Sequence, residues 1–293
     1  MRNYVRARHE LGGTKCICVL GTGPGDLRET VRLPTTTPDA TMAAIEEVLA
    51  GWRFAALGIA SFGPVAIDRA APGWGHITAT TKPGWSGADV APRLAARFGV
   101  PVGFETDVVG AGLAEAKWGA ARGLADLAYI TVGTGVGVGL IAGGRALAGL
   151  THSELGHLRV RRLAGDDFAG ACTFHGDCVE GLAAGPAIAA RAGRPAPALA
   201  ADDPAWESVV DALAQLAHAL VLTGVPRRII FGGGVMVGMP HLLPRIRTAL
   251  AASLAGYGDT GLLGDLADYL APAALAGDAG PLGALLIGQA ARP

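Results

Sequence analysis

Four side chains able to ligate a metal fall within 22 positions of one another: His157, Cys172, His175 and Cys178, with 14, 2 and 2 residues between successive members. Two thiolates and two imidazoles make a chemically sensible tetrahedral set for Zn2+, a borderline ion that accepts sulfur and nitrogen together. The run CTFHGDC supplies three ligands from one turn, and His157 closes the set from a distance. A metal there would staple the segment 152–180, which is rich in Gly and Asp and too poor in apolar residues to fold alone. The spacing is not that of a zinc finger. Ordinary surface histidines beside two reduced, buried cysteines are the competing reading.

A second kind of chemistry is suggested where short apolar runs meet glycine. Gly12-Gly13-Thr14-Lys15 precedes an expected strand at Cys16–Leu20, and Gly133–Gly139 alternates Gly with Thr or Val after a strand at Leu127–Val132. A third turn, Gly232-Gly233-Gly234, closes a strand at Arg227–Phe231. Bare backbone amides, the hydroxyls of Thr14 and Thr134 and the ammonium of Lys15 are suited to phosphate. Plain turns packed on neighbouring strands are the alternative. Neither the GxxxxGK[ST] loop nor GxGxxG occurs, so neither nucleotide fingerprint applies.

Asp107 is the candidate general base. It follows Thr106 at the end of a strand (Val100–Glu105) and precedes a helix (Val108–Trp118), where an acid caps a helix or projects toward a ligand. Gly63, in Ser61-Phe62-Gly63-Pro64, stands at the end of the strand Leu57–Ala60. Strand carboxyl ends are where open α/β sheets bind ligands. Trp85 reads as core packing or as a ligand wall.

Helices are expected at Pro38–Ala50, Asp89–Phe98, Gly185–Arg191, Trp206–Thr223, Leu242–Leu254, Gly261–Tyr269 and Pro281–Gln289. Strand-turn-helix units recur twice, which divides the chain into an N-terminal α/β domain (1–118) and a larger C-terminal one (119–293), with the last helix free to pack back on the first.

Composition narrows the classes further. The 293 residues carry 45 glycines, 18 prolines and a net charge of -1, and neither end is strongly basic or acidic. The glycine fraction is about twice the usual ~7% without a collagen period. Nucleic acid has no electrostatic invitation. The opening MRNYVRARHELGG is broken by charge, and Tyr129–Gly144 is too short to span a bilayer, so neither a secretory leader nor a membrane span is expected. Four cysteines, two on one strand and two in the metal candidate, fit a reducing cytoplasm.

Taken together the motifs resemble the ROK family of sugar kinases, in particular its bacterial fructokinase branch. ELGGTK, IASFGPV, ETDVVGAGLAEAKWGA, ITVGTGVGVGL, HSELGHLRVRR, GACTFHGDCVEGLAAGP and IIFGGGV fall in that family's order along nearly the whole chain, and GHITATTKPGW points to the same branch. The resemblance implies a two-domain actin-like ATPase fold (sugar kinase/ribonuclease H-like) with an interdomain cleft, ATP and Mg2+ as cofactors beside Zn2+, and a homodimer. It implies Asp107 as base, with Gly63, Thr106, Glu154 and His157 on the sugar side. Gly13, Thr14 and Thr134 fall to the phosphates and Gly233 and Gly234 to the nucleoside, with Lys15, Gly135 and Pro186 in the same cofactor site. Glu10 would stand near Mg2+, through water. The implied reaction is phosphorylation of fructose at its 6-hydroxyl, with glucokinase or mannokinase as the near alternative. A sugar-responsive regulator of the family would need a DNA-binding domain ahead of Gly12, for which eleven residues leave no room. One departure stands out: Arg8 and His9 occupy a first strand that is usually apolar, where charge is costly.

Overall fold

A computed structural model of the chain describes residues 6–257 and 260–291; for residues 6–10, 260 and 262 it describes the backbone alone. In chain order the first elements are β1 (Arg6–Leu11), β2 (Lys15–Gly23), β3 (Asp26–Pro34), α1 (Pro38–Ala50), β4 (Leu57–Ser61), α2 (Ala91–Phe98), β5 (Val102–Thr106) and α3 (Asp107–Trp118). Then come β6 (Leu127–Val132), β7 (Val136–Ala142), β8 (Arg145–Ala146), α4 (Val179–Ala183), α5 (Gly185–Ala192) and α6 (Ala205–Thr223). The last are β9 (Ile229–Gly232), α7 (Gly234–Gly238), α8 (Leu242–Leu254), α9 (Leu266–Tyr269), β10 (Leu270–Pro272) and α10 (Ala279–Ala290).

The chain forms two compact units. The first holds the residues up to Ala114, with Leu147–His152 and the stretch from Gly277; the second holds Glu115–Ala146 and Ser153–Ala276. Each contains one five-stranded sheet, in the order β3-β2-β1-β4-β5 and β10-β9-β6-β7-β8. The two are the same topology. A three-stranded antiparallel meander is extended by two parallel strands that pair beside its first strand.

In the first unit α1 starts with Pro38 in its first turn, which costs no hydrogen bond there, and buries Thr41, Met42, Ile45 and Leu49 at helical spacing. Met42, Ile45 and Leu49 meet Leu57, Ile59, Leu94 and Trp85 in one apolar core. Trp85 is fully buried and belongs to that core; its indole N–H donates to the Thr36 carbonyl at 2.8 Å, and Phe62 packs edge-on at 5.3 Å. On the other sheet face, α10 lies directly on the strands. A Cβ at Gly58 would meet the Ala284 carbonyl at 1.9 Å, and one at Gly283 would meet the Gly110 carbonyl at 2.0 Å. Glycine is therefore required at both points for the backbones to touch. The second unit packs α4, α5, α6, α7 and α8 around β6, β7 and β9, with Trp206, Leu213, Leu220, Phe231 and Ile246 in its core.

Several expected elements change. β1 is a central strand despite Arg8 and His9, paired antiparallel to β2 over Arg6–Leu11 and parallel to β4 over Ala7–Leu11; the side chains of residues 6–10 and all of Tyr4 and Val5 lie outside the described residues. The helix expected over Gly261–Tyr269 is broken. Gly264 takes a φ of 65°, and α9 starts afresh after Asp265, whose carboxylate caps the Ala267 amide at 2.7 Å. Asp89 stands ahead of α2, accepting from the Arg93 amide at 3.0 Å. Beyond Gly135 the glycine-valine run is a strand, because Gly137 and Gly139 sit opposite Thr131 and Tyr129. Among the described residues no helix is long and apolar enough to cross a membrane.

The sheet margins are all blunted. β3 is mostly exposed and carries Asp26, Arg28, Glu29 and Arg32. β8 has two residues, and β10 has three, ending in Pro272. At β5, the Arg69 guanidinium donates to the Val102 carbonyl.

Candidate functional site

Register assembles the first unit's share of the site. Leu11, Ser61 and Thr106 lie in one row across β1, β4 and β5, and all three strands end there. The residues that leave each strand must therefore emerge at the same edge: Gly12–Lys15, Phe62–Gly63 and Asp107. The Phe62 amide donates back to the Leu11 carbonyl at 2.7 Å, which ties two of these turns together. Gly13, Thr14 and Lys15 form an exposed turn, closed by the Gly12 amide on the Lys15 carbonyl at 3.0 Å and braced by the Thr35 hydroxyl on the Gly12 carbonyl at 2.7 Å. Glu10 lies on β1, with its side chain outside the described residues.

Asp107 is the first residue of α3, and the preceding Thr106 has the capping position, its hydroxyl accepting the Val109 amide at 3.3 Å. The Asp107 carboxylate accepts the adjacent Val108 amide at 2.8 Å. The helix start is thus served by Thr106, and Asp107 stays partly exposed at the strand-end row.

In the second unit the Gly133–Gly135 turn meets two neighbours. The Gly133 carbonyl accepts the Gly185 amide at 2.7 Å, which seats the start of α5, with Pro186, against it. Gly233, with φ of 88°, lies against β6, where a Cβ would approach the Val132 carbonyl to 2.4 Å. Thr134, Gly135, Pro186, Gly233 and Gly234 therefore converge at one sheet edge, with Thr134 exposed.

The metal candidates also converge. His157 ends a 3-10 turn (Leu155–His157) whose Gly156 packs so closely on β7 that a Cβ would sit 1.7 Å from the Val136 carbonyl. Cys172 and Gly176 exchange backbone hydrogen bonds of 3.1 and 2.9 Å, which folds CTFHG into a tight loop carrying His175, and Cys178 precedes α4. The four ligand atoms lie within 4.8 Å of one another. The His157 Nδ1 is 3.6 Å from both the Cys172 and Cys178 sulfurs, and the His175 Nδ1 is 3.8 Å from that of Cys172. Zinc bond lengths and tetrahedral angles require about 3.6 Å between sulfur and nitrogen ligands, so the donor set fits. Burial pushes the Cys178 thiol up to about 11, so a cation between the sulfurs is what would make thiolates there. Glu154 precedes the turn as an exposed residue whose carbonyl accepts the His157 amide at 2.9 Å.

Two residues escaped the sequence reading. Glu180 accepts the Val136 amide at 3.1 Å, lies 3.9 Å from His157 Nδ1 and fills the space above Gly135, so one carboxylate bridges the glycine turn and the metal cluster. Its position two residues after Cys178 was the available signal. Glu105 has Oε2 buried without a hydrogen-bond partner, and desolvation lifts its carboxyl to about 7.

Two sheets of one topology with glycine turns at their strand ends are the architecture of the actin-like ATPase fold. The sequence profile of the ROK family matches residues 9–291, and the chain belongs to that family. It is 41% identical to the fructokinase of Pediococcus pentosaceus over 96% of each chain. It is 31% identical to the glucokinase of Streptomyces coelicolor over 61% of this chain and 56% of that one. Among solved structures it is similar to the ROK hexokinase of Thermus thermophilus, with a TM-score of 0.76 at 29% identity, covering 97% of this chain and 98% of that one.

Glu105 yields a signed prediction. Because its folded-state value is raised above the ordinary carboxylate value, its contribution is most favourable at acid pH and is lost as pH rises through about 7. Glu105→Gln should therefore gain stability relative to the parent between pH 5 and pH 8, by up to about 3 kcal/mol. Paired thermal melts at the two pH values measure this; a pH-independent difference would show that the carboxyl is not held in that state.

Proposed function

We propose that this protein is a fructokinase that transfers the γ-phosphoryl group of ATP to the 6-hydroxyl of D-fructose. The observation that carries the reading is the 41% identity with a fructokinase across 96% of both chains, against a glucokinase match confined to 61% of this chain. A glucokinase or mannokinase is the second reading, since that partial match carries it.

Phosphoryl transfer needs positioning, neutralisation of phosphate oxygens and one acceptor for the alcohol proton. Asp107, whose carboxylate accepts the Val108 amide through one oxygen while Thr106 takes the Val109 amide, is assigned the proton of the attacking hydroxyl. Thr106, Gly63, Glu154 and His157 orient the sugar, His157 through the ring nitrogen that does not face the sulfurs. Gly13, Thr14, Lys15, Thr134 and Gly135 address the phosphates with amides, hydroxyls and one ammonium, Pro186 lines the same cofactor site, and Gly233 and Gly234 admit the nucleoside. Glu10 is the residue that would hold Mg2+, which would supply charge neutralisation when bound. His157, Cys172, His175 and Cys178 would hold Zn2+, which supplies structural closure because four protein ligands fill its coordination. We assign the working domains as 1–118 with the last helix packed back on it and the remainder of 119–293, with 152–180 as the metal lobe, in a cytoplasmic homodimer.

Asp107→Asn should lower kcat by roughly 10²–10⁴ while nucleotide binding persists, since Asn preserves the amide contact but takes no proton. Steady-state kinetics with ADP titration by calorimetry check it, and near-parental kcat would remove Asp107 from the chemistry. Elemental analysis of untagged protein should return about one zinc per chain. Fully active protein without zinc would refute the metal assignment. Substrate choice is tested by kcat/KM for fructose, glucose, mannose and N-acetylmannosamine at saturating MgATP, with fructose expected to lead. Preference for another sugar would overturn the substrate and leave the family standing.

A further inference from the structure

The second unit holds a fully buried carboxylate apart from the glycine turns and the metal cluster. It belongs to Glu115, on α3. Its Oε2 accepts the Ala120 amide at 2.6 Å and the Ala274 amide at 3.2 Å, and its Oε1 accepts the Leu275 amide at 2.9 Å. These three hydrogen bonds all come from backbone dipoles. A buried carboxylate is expensive unless such donors surround it. An apolar side chain would fill the same volume without that penalty, so what the carboxylate holds is informative.

It holds a strap. Residues 273–276 leave β10, and the Ala273 amide donates to the Phe231 carbonyl of β9 at 2.8 Å. A Cβ at Gly232 would stand 3.3 Å from the Ala273 Cβ, so the strap lies against the strand end that becomes the Gly232–Gly234 turn. The other end of the clamp, the turn after α3, is anchored to the same strand. Arg228, next to β9, donates to the Ala120 carbonyl. Gly119 leaves room for this arrangement, because a Cβ there would fall 1.9 Å from Glu115 Oε2 and the carboxylate would have to shift. Ala276, at φ of 44°, turns the strap away in a conformation that an L-residue holds only when its surroundings enforce it.

We infer that Glu115 is a positioning residue for the nucleotide: its carboxylate fixes the 273–276 strap as a wall beside the Gly232–Gly234 turn, and so sets affinity for the nucleoside half of ATP without touching it. This rests on the reading of that turn as the nucleoside site. The specific consequence is a defect in nucleotide binding that spares the sugar.

The test uses two independent perturbations. Glu115→Gln keeps the side-chain volume but replaces one acceptor with a donor facing the strap amides. Gly119→Ala leaves the charge intact and displaces the carboxylate sterically. Both are expected to raise KM for ATP by about tenfold or more and to shrink the ADP-induced rise in melting temperature. KM for fructose should stay within about twofold, and metal content should be unchanged. Glu115→Asp, which retains the charge on a shorter stem, should recover part of the loss. Unchanged KM for ATP in either folded variant, or equal increases for ATP and fructose, would overturn the assignment. If one variant fails to fold, the other decides between the same two outcomes. A parental protein that binds no ADP would instead bring down the underlying nucleoside-site reading, which separates the two failures.

Discussion

Three neighbouring strands that stop in the same row determine where everything else in the first unit can be. Leu11, Ser61 and Thr106 share a register, and pairing leaves no freedom to slide one of them, since a one-residue slip of β4 would carry Leu57 and Ile59 to the face where Gly58 lets α10 touch the strand. Once that row is fixed, the residues after each strand are neighbours whatever their separation in sequence. The second unit repeats the device, with Thr131 opposite Gly232 and both followed by glycine turns. Crowding accounts for glycine at some of these places, while Gly13 and Gly234 have open space where a Cβ would stand. Gly233 fits against β6 only because it lacks a side chain, and the positive φ it adopts is open to glycine at little cost.

The lobe that carries the Cys and His cluster is held differently. Its loop has almost no apolar core of its own, and charge takes over. Asp166 lies in a fork from Arg191 at 2.8 and 2.9 Å, with Arg162 also at 2.9 Å, and its carboxyl is held well below the usual carboxylate range, first of all by the Arg191 hydrogen bonds. Arg162 reaches on to the Phe168 carbonyl and to Asp177, one residue before Cys178. Phe168 in turn lies under the Arg191 guanidinium. Ligand geometry and ion-pair network thus share a backbone, and removal of either partner of such a half-buried pair is the costly change.

Much of this was legible because local chemistry and global fold agree. α1, β6 and α8 follow from apolar spacing and their end signals to the residue, and the four Cys and His residues that the structure gathers were marked by density alone. The features that stayed hidden depend on neighbours distant in sequence. β3 is exposed and charged, so it offers no periodic apolar face; its strand character comes from pairing with β2. Gly137 and Gly139 look like turn residues until their partners on β6 are known. The division of labour between Thr106 and Asp107 hangs on which side chain reaches the Val109 amide, a matter of ångströms that sequence does not encode. Glu115 and Glu180 read as ordinary helical acids, and their meaning lies in amides 159, 160 and 44 positions away.

The treatment of the sheet margins bears on how copies of this chain can meet. A two-residue strand, a three-residue strand ending in proline, an arginine laid over a third margin and a row of charges on the fourth all deny an incoming strand its partner. Continuous sheets across subunits are thereby disfavoured, as is the runaway strand stacking that makes crowded proteins aggregate. Helix and loop surfaces are therefore the favoured material for any dimer, and their side chains, unlike a bare strand edge, discriminate between one partner and another.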